Sequence, residues 1–557
     1  MSVHDSTHFP PGTHMLDDRM SLAKSTLSLI CKVSDFDTET SNGSDNQQVV
    51  LNPTPSDDPD DPLNWTTLRK SVNFGLTSTY VLFTFVLLEI SSPLQQPVYV
   101  KILGFSMKIV GQAGGASYAG LALGCILFVP CVHKFGRRPV YLISALIQFI
   151  SAIWNAKLST SGEWIFVGLL SGIGGSTAEA IVLITIVDLF FVHQHARMNG
   201  ALGGPIAGGF IVNSINWRWV WWITAICLGV NLILVIFAFE ESKYVPRSPV
   251  GYSKISKKYE SSDANETSSA DISSGNLSYG SNETHYDPHQ IMESQTYPRK
   301  SYWQRMAPWT KTDGPVLRSF YQPFIVPFMF PAILFTAFQY GMMQAWFGAT
   351  TVTAQEALPN PPYNFKTYEL GLFNLGGFIG VIFAALVTIF LSDWLVIKQA
   401  RRNGGIFEPE MRLWLLFPAI ICVAAGSLVY GIGLSKTWAW YVLAIGNAIF
   451  GFGFMITSEV ALSYLTDCYP LILNDALISV VFMRNLLAAC ARFPVSSWIT
   501  GMGIQNMFIL IVAITLATLA FPVLFILHGK RIRIQTEQNY TELAATQLAP
   551  RPAPQKY

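Results

Sequence analysis

The sequence predicts an all-α membrane protein built from two six-helix bundles. Of its 557 residues, 51% are hydrophobic and only 13% are charged, whereas a soluble protein carries roughly 25% charged residues. The apolar residues cluster into stretches such as SVNFGLTSTYVLFTFVLLEI at 71–90, which is long enough to cross the roughly 30 Å hydrocarbon core as a helix. No block of the sequence alternates with period two in the way that strands of a membrane β-barrel do.

Twelve apolar spans are predicted, six on each side of a long polar segment. They lie at 71–91, 113–132, 139–156, 164–191, 199–215, 217–239, 323–347, 369–391, 413–433, 438–465, 474–497 and 506–527. The predicted domains are an N-terminal segment at 1–64, bundles at 65–239 and 319–528, a central loop at 240–318 and a tail at 529–557. The N-terminal segment, most of the central loop and the tail are polar and contain proline, a composition typical of disorder.

The distribution of basic residues predicts the orientation. If both termini are cytosolic, the short loops place thirteen lysines and arginines in the cytosol and six outside, as the positive-inside rule requires. We therefore expect both termini in the cytosol. With no targeting motif in the sequence, we expect a multi-pass protein of the plasma membrane that works as a monomer. The net charge of +1 gives no support for nucleic-acid binding, and the seven cysteines show no spacing typical of a metal site or a disulfide framework. We expect no cofactor.

Two motifs lie in the first predicted bundle. HKFGRRPVYLIS at 133–144 joins spans two and three, where Gly136 permits a tight turn and Arg137 and Arg138 can bind carbonyl groups, carboxylates or lipid phosphates. By residue chemistry alone this loop is a basic membrane anchor. The second motif, GALGGPIAGGF, removes side chains so that helices can approach closely, and its proline bends the helix. Its residues are Gly200, Gly204, Pro205, Gly208 and Gly209. Simple tight packing is the alternative interpretation.

Together these motifs resemble the major facilitator superfamily, in particular its fungal twelve-helix drug:proton antiporters. The segments DPDDPLNW (58–65), NWRWVWWI (216–223), FEESKY (239–244) and RRNGGIFEPEMRL (401–413) support the resemblance, which covers roughly 58–244 and 300–530. It implies two six-helix halves around a site near the membrane midplane, with Gly136, Arg137 and Arg138 in a cytosolic gate loop. It also implies that the glycine–proline motif is linked to export.

The sequence departs from this family pattern at three places. His133 stands where the loop usually carries an aspartate, and Gly168 stands where the fourth span commonly carries an arginine. The segment between Arg197 and Trp217 is shorter than in relatives and leaves about 17 apolar residues, the lower limit for a span. Either span five is short or the sequence lacks a segment here.

Charged residues inside spans are functional candidates because they are costly in the bilayer. Four carboxylates are candidates for proton coupling or substrate binding: Glu89, Glu179, Asp188 and Glu459. Glu179 and Glu459 occupy corresponding spans of the two halves. A structural ion pair, such as one between Glu459 and Arg484, is the alternative. Span seven mixes polar and aromatic side chains that suit an amphipathic substrate, although lipid contact would also explain them. These cavity candidates are Gln339, Tyr340, Gln344 and Trp346.

The function predicted from these observations is secondary active transport. No phosphate-binding GxxxxGK[ST] loop is present, which argues against an ATP-driven pump, no catalytic constellation suggests an enzyme, and a channel would lack the two-half motifs. We expect proton-coupled efflux of a drug, toxin or secondary metabolite. The alternatives are proton-coupled uptake of an organic cation or nutrient, and a non-transporting sensor. The expected partners are a small molecule, protons and the lipid bilayer.

Overall fold

The computed structural model describes residues 10–15, 58, 60–182, 184–185, 217–243, 301–307, 309–310 and 316–547. Within these residues the chain is almost entirely helical. The first half contains α1 (Thr67–Glu89), α2 (Met107–Phe135), α3 (Arg137–Ala156), α4 (Ser161–Ser176) and α5 (Trp217–Ala238). A π-helical turn, Thr177–Ile181, continues α4. A short helix, α6 (Tyr302–Arg305), precedes the second half.

The second half contains eight further helices. It also contributes one strand of a short two-stranded sheet, whose other strand comes from the N-terminal segment. Its helices are α7 (Val316–Met329), α8 (Pro331–Ala357), α9 (Thr367–Arg402), α10 (Leu416–Ser435), α11 (Trp440–Cys468), α12 (Leu473–Arg492), α13 (Val495–Ala517) and α14 (Ala520–Gln535). Helix α15 (Glu537–Gln547) follows. The sheet pairs β1 (His14–Met15) with β2 (Ile406–Phe407) in antiparallel register.

The described helices account for the predicted spans apart from span five. Ten helical segments are long and apolar enough to cross a membrane, and the bent pair α7–α8 provides an eleventh. Predicted span five, the glycine–proline motif at 200–209 and Asp188 lie outside the described residues. The prediction of an all-α membrane fold with about twelve spans is confirmed.

The prediction of one continuous helix for span seven is wrong near its beginning, because a sharp break divides the segment into two helices. Helices α7 and α8 meet at 101°. Phe330 between them is extended, with φ −121° and ψ 97°, and Pro331 begins α8. Proline suits the first position of a helix because that position needs no backbone donor. An apolar window cannot detect such a break, since both helices are hydrophobic.

Close helix packing within each half depends on glycine. On Gly172 of α4, an added Cβ would collide with the Ser117 carbonyl oxygen of α2, and Gly120 of α2 faces α4 in the same way. In the second half, Gly426 of α10 and Gly453 of α11 make the corresponding close approach. Without a hydrophobic driving force in lipid, such contacts allow the van der Waals packing that joins helices.

One end of the molecule is organised around the turn between α2 and α3, and we call it the arginine-loop end after Gly136, Arg137 and Arg138. The Glu241 carboxylate accepts hydrogen bonds from the backbone N–H groups of Arg137 (2.9 Å) and Arg138 (3.1 Å). It therefore caps α3, whose N-terminus carries a partial positive charge. Gly136 has φ +102°, and an added Cβ there would collide with the same carboxylate.

The N-terminal segment, predicted to be disordered, contains an ordered stretch at residues 10–15 that contacts the second half. Arg533 is fully buried and forms a bidentate pair with Glu410, at 2.9 and 2.8 Å. The same guanidinium donates to the carbonyl of Pro11 and, at 2.9 Å, to the hydroxyl of Thr13. The sequence pattern missed this stretch because its partners, Arg533 and β2, lie in the second half of the chain, far away in sequence.

Candidate functional site

A buried ion pair joins the two halves. Glu179 lies in the π-helical turn that follows α4, and Arg484 lies in the middle of α12. Their Oε2 and Nη2 atoms are 2.5 Å apart, and the side chains are 11% and 9% exposed. Asn485 donates from Nδ2 to the same carboxylate oxygen at 2.7 Å. Because π-helical turns insert an extra residue into a helix and are frequent at functional sites, this position fits a functional carboxylate.

The remaining donors of Arg484 are also occupied. Its Nη1 donates to the Tyr340 hydroxyl at 3.1 Å, and its guanidinium carbon lies 4.9 Å from the centre of that ring. Its Nε and Nη2 donate to the Asn485 amide oxygen at 3.3 and 3.1 Å. The alternative in which Glu459 pairs with Arg484 is wrong, since the carboxylate partner is Glu179 and Glu459 is exposed on α11.

A cavity of about 650 Å³ lies between α1 and the second-half helices α8, α9, α10 and α11. It is near the end of the molecule opposite the arginine-loop end, because it meets the last turn of α1 and the first turns of α9. The volume is within the range of small-molecule sites. Its polar lining comprises Glu89, Ser92, Gln344, Thr350, Thr351, Tyr368, Asn374, Tyr430 and Asn447. Its phenylalanines are Phe85, Phe347, Phe373, Phe378, Phe450 and Phe454.

The structure brings only some of the predicted site residues to this cavity. Glu89 and Gln344 line it, whereas Tyr340 contacts Arg484. Gln339 and Trp346 are buried, at 0% and 3% exposure, and are not among the residues that line the cavity. Gln344 and Trp346 are two positions apart and point in different directions, whereas Tyr340 lies one turn before Gln344 and reaches Arg484 instead.

Sequence reasoning missed most of the polar lining. Asn374 and Asn447 lie in apolar spans with glycine nearby, in GLFNLGG and AIGNAIFGFG. An asparagine inside a span is costly unless it has a partner or faces a polar cavity, so this signal was available. Tyr368 and Tyr430 carried no comparable signal, because tyrosine is common near membrane interfaces.

The predicted gate loop is held by the chain that leads into the second half. Arg138 donates from Nη2 to the Ile236 carbonyl at 2.7 Å and from Nη1 to the Met306 carbonyl. The backbone N–H of Thr310 donates to the Phe135 carbonyl at 2.7 Å. Helix α7 packs against both α2 of the first half and α12 of the second. The two halves are therefore in contact at the arginine-loop end, while the cavity lies toward the opposite end.

A family model for the Major Facilitator Superfamily matches residues 74–491. The chain belongs to this superfamily. It is therefore a multi-pass membrane transporter rather than an enzyme. Among the described residues, no group of three or more histidine, cysteine or acidic side chains is placed to hold a metal ion.

Fungal transporters are similar over most of the chain. An uncharacterized MFS-type transporter of Schizosaccharomyces pombe is 28% identical, covering 88% of this chain and 89% of its own. The protein HOL1 of Saccharomyces cerevisiae is 27% identical, covering 89% and 92%. The MFS transporter cpaT of Aspergillus oryzae is 26% identical, covering 86% and 90%.

Two solved transporters share the fold. The D-xylose–proton symporter has a TM-score of 0.50 and 16% identity, covering 83% of this chain and 96% of its own. The human organic anion transporter MFSD10 has a TM-score of 0.50 and 15% identity, covering 82% and 100%. At these identities the likeness concerns the fold alone.

Proposed function

We propose that this chain is a proton-coupled carrier that exports a small amphipathic organic compound, such as a drug, toxin or secondary metabolite. It works as a monomer in the plasma membrane, with the arginine-loop end and both termini in the cytosol. The observation that carries the proposal is the buried pair between Glu179 and Arg484, which links the two halves of a chain that also contains a cavity of about 650 Å³.

Proton binding at Glu179 would couple to the movement of the halves. Alternating access requires the halves to rock about a site between them, and a buried ion pair between α12 and the end of α4 resists their separation. A proton on Glu179 neutralises the carboxylate and weakens this link. Arg484 keeps its hydrogen bonds to Tyr340 and Asn485, so that its charge is not left without partners.

The cavity lining supports an amphipathic substrate. Phenylalanine rings surround the apolar body, while the amide and hydroxyl groups of Gln344, Asn374, Asn447 and Thr351 fix its orientation. This combination of apolar walls with a few placed polar groups is typical of small-molecule sites. The resemblance of residues 200–209 to the antiporter motif supports the export direction.

Uptake of an organic cation is the second candidate, and Glu89 favours it. Its side chain is exposed and lines the cavity on the same side as Phe85. A carboxylate together with aromatic faces attracts organic cations. The cavity lining agrees with both directions, so measured transport must separate them.

The test is the accumulation of a panel of organic compounds, by mass spectrometry, in yeast expressing the chain with and without a protonophore. Export predicts lower accumulation, which the protonophore abolishes. Glu179→Gln should remove this effect, whereas Glu459→Gln, which changes an exposed carboxylate of α11, should not. Raised accumulation would replace export with uptake. Full activity of Glu179→Gln would refute the proposed coupling site.

A further inference from the structure

Arg492 is the last residue of α12. It carries a buried charge near the cavity wall, and the proposed mechanism does not use this charge. Its side chain is 8% exposed and passes between Gly114 of α2 and Gly348 of α8. An added Cβ would lie 2.5 Å from the Arg492 Nε atom at Gly114 and 3.5 Å from Nη1 at Gly348. The two glycines therefore provide the space that this guanidinium occupies at the junction of the two halves.

The hydrogen-bonding capacity of this guanidinium is not satisfied. The Nε atom is buried without a hydrogen-bond partner. In the part of the chain that the structure describes, no ion pair or hydrogen bond engages Arg492, and its closest aromatic partner is the Tyr118 ring at 5.4 Å. A buried charge without partners is costly, and such residues in membrane proteins mark substrate and ion pathways.

Arg492 is connected to the cavity wall by a short path. Tyr118, over which it lies, accepts a hydrogen bond from Nε2 of Gln344 at 3.0 Å. Gln344 lines the cavity, as do Phe347 and Thr351, which lie close to Gly348 on α8. One hydrogen bond and one ring contact therefore separate the guanidinium from the cavity wall.

The opposite charge lies in the cavity wall itself. Glu89 lines it, and no hydrogen bond or ion pair to Glu89 is found among the described residues. The charged side chains close enough to act on its carboxylate are Arg492 and Glu179. Glu179 is already paired with Arg484. Among the described residues, the Glu89 carboxylate and the Arg492 Nε atom thus lack hydrogen-bond partners, and both are available to a ligand.

We infer that the cavity selects zwitterionic compounds with an apolar body, such as aromatic amino acids and their relatives. The ammonium group faces Glu89, the carboxylate faces Arg492, and the apolar body lies among the phenylalanines. A guanidinium suits this role because its planar fork binds a carboxylate with two parallel hydrogen bonds. The inference rests on the proposed carrier function and specifies its substrate class.

Three probes that share a phenylethyl group test this inference. L-Phenylalanine carries both charges, phenethylamine carries only the ammonium group, and 3-phenylpropionate carries only the carboxylate. Binding of each to the purified full-length chain is measured by calorimetry in detergent, without a proton gradient. The expected result is that phenylalanine binds at least tenfold more tightly than either single-charge probe.

The variants assign the two charges. Arg492→Gln should weaken phenylalanine binding at least tenfold and leave phenethylamine binding within about twofold. Glu89→Gln should show the converse pattern, weakening phenylalanine but not 3-phenylpropionate. Arg401→Gln, at an exposed position on α9, is the matched control and should change nothing. If the glutamine variant does not fold, Arg492→Lys replaces it. Lysine keeps the charge but lacks the planar fork, so it should still weaken phenylalanine binding and leave phenethylamine binding unchanged.

Several outcomes would overturn the inference. If phenethylamine binds as tightly as phenylalanine, Arg492 only balances the charge of Glu89. Equal weakening of all three probes by Arg492→Gln would show a purely structural role, and no binding of phenylalanine would exclude the substrate class. Because binding is measured without a gradient, failure of proton coupling or of the export direction would leave this result unaffected.

Discussion

Replacing Arg484 with glutamine tests the energetic role of the ion pair between the halves. In this variant Glu179 keeps a hydrogen bond from Asn485 but loses its cation at 2.5 Å. The pair is about nine-tenths buried on both sides, so solvent screens it only slightly. Removing one partner of such a pair is expected to cost about 3–5 kcal/mol, because the other charge remains buried without compensation.

The assay is a double-mutant cycle with Arg484→Gln, Glu179→Gln and the double variant. Thermal unfolding of each purified protein is followed by tryptophan fluorescence in the same detergent. We expect Arg484→Gln to lower the melting temperature by several degrees. The double variant should recover most of that loss, since two neutral amides can replace two charges at little cost.

Additive changes would contradict this reasoning. If the double variant loses the sum of the two single losses, the two side chains do not interact energetically. An unchanged melting temperature in Arg484→Gln would contradict the burial argument directly. Arg401→Gln, which removes an exposed arginine of α9, controls for the general effect of losing a positive charge.

Two further predictions concern glycines, and each has a matched control. Gly136→Ala should reduce both the melting temperature and transport, because this position has φ +102° and an added Cβ collides with the Glu241 carboxylate. The control is Gly404→Ala, which lies in open space at φ +66°. It should cost only about 1–2 kcal/mol of backbone strain. Equal effects of the two would show that the Glu241 contact contributes nothing. Gly172→Val should prevent accumulation of folded protein on size-exclusion chromatography, whereas Gly162→Val on the same helix has no atom within 4 Å and should fold. A monodisperse Gly172→Val protein would refute the close packing of α2 and α4.

The fold was predictable because the bilayer imposes its requirements on each segment separately. A span needs about 20 apolar residues, and every backbone group inside it must be paired within the helix. The boundaries were less predictable. Helix α9 continues to Arg402, beyond the predicted end at 391, because a helix that leaves the bilayer no longer needs apolar residues. In this extension Lys398 lies over the Trp394 ring at 4.5 Å. The break at Phe330 left no trace in hydropathy.

The types of residue in the site were predictable, but the contacts between them were not. Glu179 and Glu89 were singled out because charged groups are costly in a membrane, and Gln344 because span seven mixes polar and aromatic side chains. The structure places Glu179 in the ion pair and the other two in the cavity wall. The partner of Glu179 could not be read from the sequence, since Asn485 and Arg484 lie about 306 residues away along the chain. Glu459 satisfied the same sequence criterion, but it neither lines the cavity nor pairs with Arg484.

By itself, the sequence determined the membrane class, the positions of most spans and the set of costly polar residues, because these depend on local composition. Only the tertiary structure decided which charges meet and which side chains reach the cavity. Gln344 and Trp346 differ by two positions on α8, and only Gln344 is among the residues that line the cavity. Helix rotation and the packing of five different helices set that outcome, and both depend on contacts between residues that are far apart in the sequence.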